Sequence, residues 1–190
     1  MPKLPASIAL ETISDGFDNG SVGKAKSTRH YLDTFWKIGP QTLQDLIEKL
    51  GRTGNTVDCL IYDSFLPWGS IDVAKRCGIA GAVFHTQNLA LSSIYYHFHL
   101  GKLKVPITHE VSLLALLPPL QVGDLPSFFW NYHDDQPILE CLSSQFTNIY
   151  KADWVLCNTL HELEKEVDKF PPLAQTLNKG PSIVSSSFPQ

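Results

Sequence analysis

The sequence lacks the short motifs that mark the commonest nucleotide-binding and hydrolytic sites. Its 190 residues contain no G-x-G-x-x-G, no G-x-x-x-x-G-K-[ST], no G-x-S-x-G and no H-E-x-x-H. These absences count against common dinucleotide binding, P-loop nucleotide binding, an α/β-hydrolase and a zinc protease of that type. Whatever chemistry the chain supports must therefore come from residues that the fold brings together.

Long apolar runs and a strong excess of charge are also lacking. No apolar run approaches the roughly 20 residues that span a bilayer, and the start, MPKLPASIALETISDG, is unlike a secretory signal. The net charge of −4 argues against nucleic acid or an anionic membrane as partner. None of the four cysteines stands in a C-x-x-C pair, so zinc is not expected, and the setting is predicted to be reducing and cytoplasmic. Cys59 and Cys157 lie in apolar runs and are expected in the core.

What the sequence does contain is one clear βαβ pattern. The apolar run Val57–Tyr62 predicts a strand that is buried on both faces, and Asp63 follows at its carboxyl end. Helical spacing over Gly69–Cys77 and a second apolar run, Gly81–Phe84, complete the unit. In open α/β sheets ligands bind at the carboxyl ends of the strands, so Asp63 and Thr86 are aimed at one edge.

The flanking segments continue the alternation of strands and helices. It predicts an α/β fold, a Rossmann-like parallel sheet with helices on both faces. The further predicted elements are a strand over Ser7–Thr12, a helix from Ser27 or Thr28 to Leu50, a helix from Gln87 to Gly101, a helix over Pro137–Tyr150, a strand over Trp154–Cys157 and a helix from Thr159.

Three features invite a functional interpretation. Asp63 could orient a catalytic histidine, as the third member of a triad does, or simply cap the following turn. His97 and His99 are two apart on a helix and cannot chelate one metal ion. The long segment 102–130 carries Phe128–Trp130, which could line a cleft for a flat apolar ligand or serve as a flap over the core.

Four blocks of the sequence resemble plant family-1 UDP-glycosyltransferases. They are SIALETISDGFDNG, YDSFLPWGSIDVAKRCGIAGAVFHTQN, PPLQVGDLPSFFW and KADWVLCNTLHELEKEV, and the likeness extends to about Val167. The family has a GT-B fold, in which an N-terminal Rossmann-like domain holds the acceptor and a C-terminal one holds the UDP-sugar. The resemblance implies that residues 1–170 are a partial N-terminal acceptor domain and residues 171–190 an irregular tail or interdomain linker.

The resemblance also implies roles for individual residues. Asp63 matches the aspartate that orients the catalytic histidine, and Thr86 matches a contact to the donor sugar. His85 stands where phenylalanine is usual, which implies a packed or half-exposed substitute and not a new base. The acceptor-binding residues implied in this way are Asp15, Gly16, His85, Phe128, Phe129 and Trp130.

The implied activity is an inverting transfer of glucose from UDP-glucose to a hydroxyl or carboxyl of a small plant metabolite or hormone. The UDP-sugar would be a co-substrate, with no cofactor and no metal, in a monomeric cytoplasmic enzyme without nucleic-acid partners or a membrane span. None of the seven histidines stands in the family's catalytic motif, and the donor-binding signature is missing. We therefore expect a chain truncated at both ends and inactive alone. The alternatives are a non-catalytic acceptor-binding or regulatory fragment and an unrelated small α/β ligand-binding domain.

The resemblance has a consequence for folding. If Ser7–Thr12 is the family's third strand, the two strands that lie between it and the next are absent. The isolated chain is then expected to be poorly stable, or Ser7–Thr12 to pair elsewhere or remain unpaired.

Overall fold

A computed structural model describes residues 7–20, 22–66, 69–112 and 117–158. The chain divides into two compact units, residues 1–57 and 58–190, and each is treated by itself. The predicted helix from Thr159 and the predicted tail 171–190 lie outside the described residues.

The first unit is built on a single long helix, α1 (Thr28–Arg52). Ser27 caps it, because its Oγ accepts a hydrogen bond from the His30 N–H at 3.1 Å. The helix continues through Pro40, which has no backbone N–H to donate. The predicted helix is confirmed, and it extends two residues beyond the predicted end at Leu50. A 3₁₀ turn, Val22–Lys24, precedes it.

The predicted strand over Ser7–Thr12 is wrong, because no described strand pairs with it. All six residues are exposed, and Ile8 and Leu10 have exposed fractions of 52% and 74%. Alternating apolar residues form a strand only where a neighbour supplies backbone hydrogen bonds and an apolar surface. Ser7–Thr12 was expected either to pair elsewhere or to remain unpaired, and within the described part of the chain it is unpaired.

The second unit contains a parallel sheet of three strands in the order β1-β2-β3, which confirms the predicted fold class. The predicted βαβ unit is present, with shifts of one or two residues at its ends. The elements are β1 (Cys59–Asp63), α2 (Ser70–Arg76), β2 (Ala80–His85), α3 (Leu89–His99), α4 (Tyr132–Ser144) and β3 (Trp154–Cys157). Short 3₁₀ turns cover Val122–Asp124, Ser127–Phe129 and Ile149–Lys151.

Helix α2 packs closely on the sheet because residue 81 is glycine. A Cβ placed at Gly81 would lie 2.3 Å from Ile71 Cδ1 and 3.4 Å from Ala74 Cβ. Both of these α2 residues are fully buried. Further large core side chains come from all three strands, from α3 and α4 and from the segments that connect them, and include Tyr62, Val83, Tyr95, Leu139 and Val155.

Strand β1 is not buried on both faces, so that prediction is wrong. Tyr62 is buried, but Ile61 is 62% exposed and Cys59 is exposed, in contrast to Cys157, which is buried as expected. Neighbouring residues of a strand point to opposite faces, and β1 pairs only with β2 in the described part of the chain. Its face bearing Ile61 and Cys59 therefore stays accessible.

Helix α4 begins five residues before the predicted start and ends six before the predicted end. Its end is marked by two serines, because Ser143 Oγ donates to the Glu140 carbonyl at 3.0 Å and Ser144 Oγ to the Cys141 carbonyl at 2.7 Å. Such side-chain bonds compete with continuation of the helix. The apolar residues after Ser144 pack from a turn, which periodicity alone did not distinguish from a helix.

Candidate active site

The carboxyl ends of the three strands bring three polar residues to one edge of the sheet. Asp63 ends β1, Thr86 follows β2 and Asn158 follows β3. The register pairs Asp63 with Phe84 and Cys157 with His85, so the three polar residues lie along adjacent strand ends. This edge is where ligands bind in open parallel sheets.

Asp63 uses one carboxylate oxygen to shape the loop that follows β1. Its Oδ1 accepts a hydrogen bond from the Phe65 N–H at 2.8 Å, and its carbonyl accepts one from the Leu66 N–H at 2.9 Å. Asp63 therefore does cap the turn. No donor among the described residues reaches Oδ2, and the residue is half-buried. A carboxylate held by one oxygen and open at the other can accept a hydrogen bond in a fixed direction, so the orienting role remains a prediction compatible with this geometry.

Thr86 is held from the neighbouring strand by Asn158. The Asn158 backbone N–H donates to the His85 carbonyl at 2.9 Å, and Asn158 Nδ2 donates to the Thr86 carbonyl at 3.0 Å. From the other side, the Ser64 N–H donates to the Phe84 carbonyl at 2.9 Å. Sequence analysis did not select Asn158 as a site residue, although its place directly after a predicted strand was a usable signal.

His85 is packed inside the unit and is neutral at pH 7. It is 1% exposed and stacks on Phe146 with ring centroids 5.8 Å apart, and neither ring nitrogen has a hydrogen-bond partner among the described residues. Gln145 lies beside the ring, but its Nε2 donates to the Leu142 carbonyl at 2.6 Å. Burial lowers the pKa of His85 to about 4, and the charge of Asp63 and the Gln145 amide offset this only in part.

The three aromatic residues at 128–130 lie at different depths. Phe129 is fully buried and packs on Tyr95 and Phe98, with ring centroids 5.8 and 5.6 Å away. Trp130 is 46% exposed, with Nε1 donating to the Leu125 carbonyl at 3.3 Å, and Phe128 is half-buried. Phe129 thus fits the interpretation of this segment as a flap over the core. Phe128 and Trp130 offer the aromatic surface that a cleft for a flat apolar ligand would need. Their contact with an acceptor remains a prediction.

Asp15 and Gly16 belong to a tightly held loop of the first unit. Asp15 Oδ1 accepts a hydrogen bond from the Phe17 N–H at 2.8 Å, and Oδ2 accepts one from the Tyr31 hydroxyl at 3.2 Å. Burial, aided by Asp15, raises the pKa of Tyr31, so the hydroxyl keeps its proton. Phe17 stacks on Tyr31 at 5.7 Å. Both carboxylate oxygens of Asp15 thus accept hydrogen bonds that hold the loop in place. The role of Asp15 in acceptor binding remains a prediction.

Replacing Gly16 by alanine is expected to destabilise the chain by more than the same change at Gly54. Both glycines have a positive φ, 88° and 84°, which costs a side chain about 1–2 kcal/mol. Only Gly16 is also crowded, since its new Cβ would meet Thr34 Cγ2 at 2.5 Å and Ile38 Cδ1 at 2.8 Å. We expect an extra loss of about 1 kcal/mol or more for Gly16→Ala, measured by urea unfolding. Equal losses for the two variants would contradict the packing of this loop.

The histidines of α3 do not converge. His97 is buried, with Nδ1 2.7 Å from the Ser93 carbonyl, while His99 is exposed. Among the described residues no group of three or more His, Cys, Asp or Glu side chains is placed to hold a metal ion. Within the same residues no helix combines the length and apolar character needed to cross a membrane.

Individual proteins that resemble the chain in sequence and those that resemble it in structure belong to the same family, although no family model matches the chain. It is 37% identical over 187 residues to UDP-glycosyltransferase 74F2 of Arabidopsis thaliana, covering 97% of this chain and 40% of that protein. It is 33% identical over 171 residues to an indole-3-acetate beta-glucosyltransferase of Zea mays, covering 83% of this chain and 36% of that protein.

The solved structure of Os79 from O. sativa with UDP and deoxynivalenol-3-glucoside superimposes with a TM-score of 0.77. The identity is 28%, and the match covers 90% of this chain and 43% of Os79. The chain thus spans about two fifths of the length of these relatives. Sequence and fold agree that this chain belongs to the plant family-1 UDP-glycosyltransferases.

Proposed function

We propose that the chain is the acceptor-binding part of an inverting UDP-glucosyltransferase that acts on a hydroxyl or carboxyl of a small plant metabolite or hormone. The observation that carries the proposal is the polar edge of the sheet, where no described residue donates to Asp63 Oδ2 and Thr86 follows the neighbouring strand. The maize relative, named for glucosylation of indole-3-acetate, supports a small carboxylic acid as acceptor. The complex of Os79 with UDP supports a UDP-sugar as co-substrate.

In the proposed reaction Asp63 acts through a histidine general base. The histidine removes the proton from the acceptor oxygen, which attacks the anomeric carbon on the face opposite the leaving UDP, and the configuration inverts. The Asp63 carboxylate accepts a hydrogen bond from the imidazole through Oδ2 and stabilises the imidazolium that forms. The Phe65 N–H on Oδ1 holds the carboxylate in place for this task.

The remaining site residues take supporting parts in this proposal. Thr86 meets the donor sugar at the strand edge, and Phe128 and Trp130 offer aromatic surface to the acceptor. Phe129 supports that aromatic surface from the core, and His85 supports the end of β2. Asp15 and Gly16 shape a loop beside the acceptor. The reaction uses no metal, and we propose a monomeric cytoplasmic protein, in keeping with the reducing setting that the cysteine pattern of the sequence predicts.

The proposal is tested with a hybrid enzyme, defined as UDP-glycosyltransferase 74F2 in which this chain replaces the 40% that it matches. The hybrid is assayed with UDP-glucose against indole-3-acetate and simple phenols, and product is identified by mass spectrometry. We expect glucose esters or glucosides. In parallel, the chain itself is titrated with the same acceptors by NMR. Acceptor binding by the chain with no transfer by the hybrid would favour the non-catalytic alternative, and neither binding nor transfer would contradict both.

A further inference from the structure

Thr86 lies one residue beyond the end of β2, so the hydrogen bonds of the β-ladders do not hold it in place. The β-ladder with β3 ends at the pair His85–Cys157, and that with β1 ends at Phe84–Asp63. Among the described residues, the Thr86 carbonyl receives one hydrogen bond, from Asn158 Nδ2 at 3.0 Å. The place of Thr86 at the edge of the sheet therefore depends on a side chain from the next strand.

We propose that Asn158 is a positioning residue for Thr86 and thereby sets the affinity for the donor sugar. This inference rests on the proposed function, in which Thr86 contacts that sugar. Asn158 holds β2 at two successive carbonyls, that of His85 through its backbone N–H and that of Thr86 through its side chain. The first bond continues the ladder and needs no particular residue, whereas the second needs a side-chain donor of this length.

The chemistry of the amide explains why asparagine serves here. The Thr86 carbonyl oxygen can only accept a hydrogen bond, so the Asn158 side chain must be oriented with its NH₂ group, and not its oxygen, towards Thr86. Aspartate has the same size but no N–H, and would place a negative oxygen against the carbonyl of Thr86. Asn158→Asp is therefore a near-isosteric change that removes the contact and replaces it by repulsion.

The first test uses the chain itself. In Asn158→Asp we expect the carbonyl ¹³C signal of Thr86 to shift in the direction of a lost hydrogen bond, with the signals of α1 unchanged. The control is Asn55→Asp, an exposed asparagine in the first unit whose Nδ2 donates to Thr53 Oγ1 at 3.3 Å. An unchanged Thr86 carbonyl signal in Asn158→Asp would overturn the proposal at its first step.

The second test uses the hybrid enzyme and separates donor from acceptor. One hydrogen bond of ordinary strength corresponds to a change of about 3- to 10-fold, so Asn158→Asp is expected to raise the KM for UDP-glucose by that factor. The acceptor KM should change less than twofold, and Asn55→Asp should change neither. Asn158→Ser, which is neutral and keeps a hydroxyl donor, should lie between the parent and Asn158→Asp. Asn158→Ser is also the test variant to use if Asn158→Asp fails to fold.

Thr86→Ala separates failure of this inference from failure of the proposed function. If Thr86→Ala raises the KM for UDP-glucose and the Asn158 variants do not, the positioning role is wrong while the donor role of Thr86 stands. If Thr86→Ala has no effect on that KM, the proposed donor contact itself fails. Equal rises in donor and acceptor KM, or a fall in melting temperature without a change in KM, would assign Asn158 a purely structural role and overturn the proposal.

Discussion

Replacing Asp63 by asparagine in the hybrid enzyme is expected to lower kcat by about 10²–10⁴-fold while leaving its stability almost unchanged. An amide keeps an oxygen that can accept the hydrogen bond from the Phe65 N–H, so the turn after β1 is retained. It lacks the negative charge that stabilises the imidazolium of the general base. The measurement is steady-state turnover of UDP-glucose with a saturating acceptor, beside a thermal melt of each variant.

Asp63→Ala is the matched comparison, because it removes the charge and the turn cap together. We expect the same loss of kcat and in addition a loss of stability of about 1 kcal/mol, since the Phe65 N–H loses its partner. The two interpretations of Asp63 thus predict different pairs of results. If Asp63→Asn keeps full turnover and only Asp63→Ala is impaired, capping is the whole role of the residue and the catalytic assignment is wrong.

Replacing His85 by phenylalanine is expected to stabilise the isolated chain and to remove much of its sensitivity to acid. At pH 7 the imidazole is neutral and buried, and neither ring nitrogen has a partner within the described part of the chain, which costs about 1–3 kcal/mol. Phenylalanine has a similar shape, keeps the stack on Phe146 and buries no polar atom. The free energy of unfolding at pH 7 should therefore rise by about that amount, measured with urea and circular dichroism.

The pH dependence follows from the direction of the pKa shift. Burial lowers the pKa of His85 from 6.5 to about 4 in the folded chain, so between these values the unfolded chain binds more protons. Stability from this residue is full above about pH 6.5 and falls as the pH drops towards 4, by roughly 3 kcal/mol in all. Asp63 is the charged group that acts on the ring, and its attraction for the imidazolium is outweighed by burial. In His85→Phe this part of the acid sensitivity should disappear.

His97→Phe is the control for a buried histidine. It is as buried as His85, but its Nδ1 lies 2.7 Å from the Ser93 carbonyl, so the phenylalanine variant loses a hydrogen bond. We expect His97→Phe to lower stability at pH 7, opposite to His85→Phe. A His85→Phe chain that is less stable than the parent, or that loses stability with acid as steeply, would show that the His85 nitrogens have partners in solution.

Local patterns predicted most of the regular elements. The boundaries of β3 were predicted to the residue, and α1 begins after Ser27, one of the two predicted caps. The βαβ pattern predicted that Asp63 and Thr86 lie at one edge of the sheet, as they do, and the family resemblance suggested their roles. These successes share a reason: capping, helical spacing and short apolar runs are properties of neighbouring residues, and the order of a βαβ unit follows from its connections.

The sequence by itself thus determined the family, the α/β class and the course of the chain from strand to helix. Only the tertiary structure decided that Ser7–Thr12 is unpaired, that Ile61 is exposed and that Phe129 is buried while Trp130 is not. Only it showed that Asn158 holds Thr86, 72 residues away along the chain. The physical reason is that covering a face or satisfying a carbonyl depends on groups distant in sequence, and no local pattern specifies where they lie.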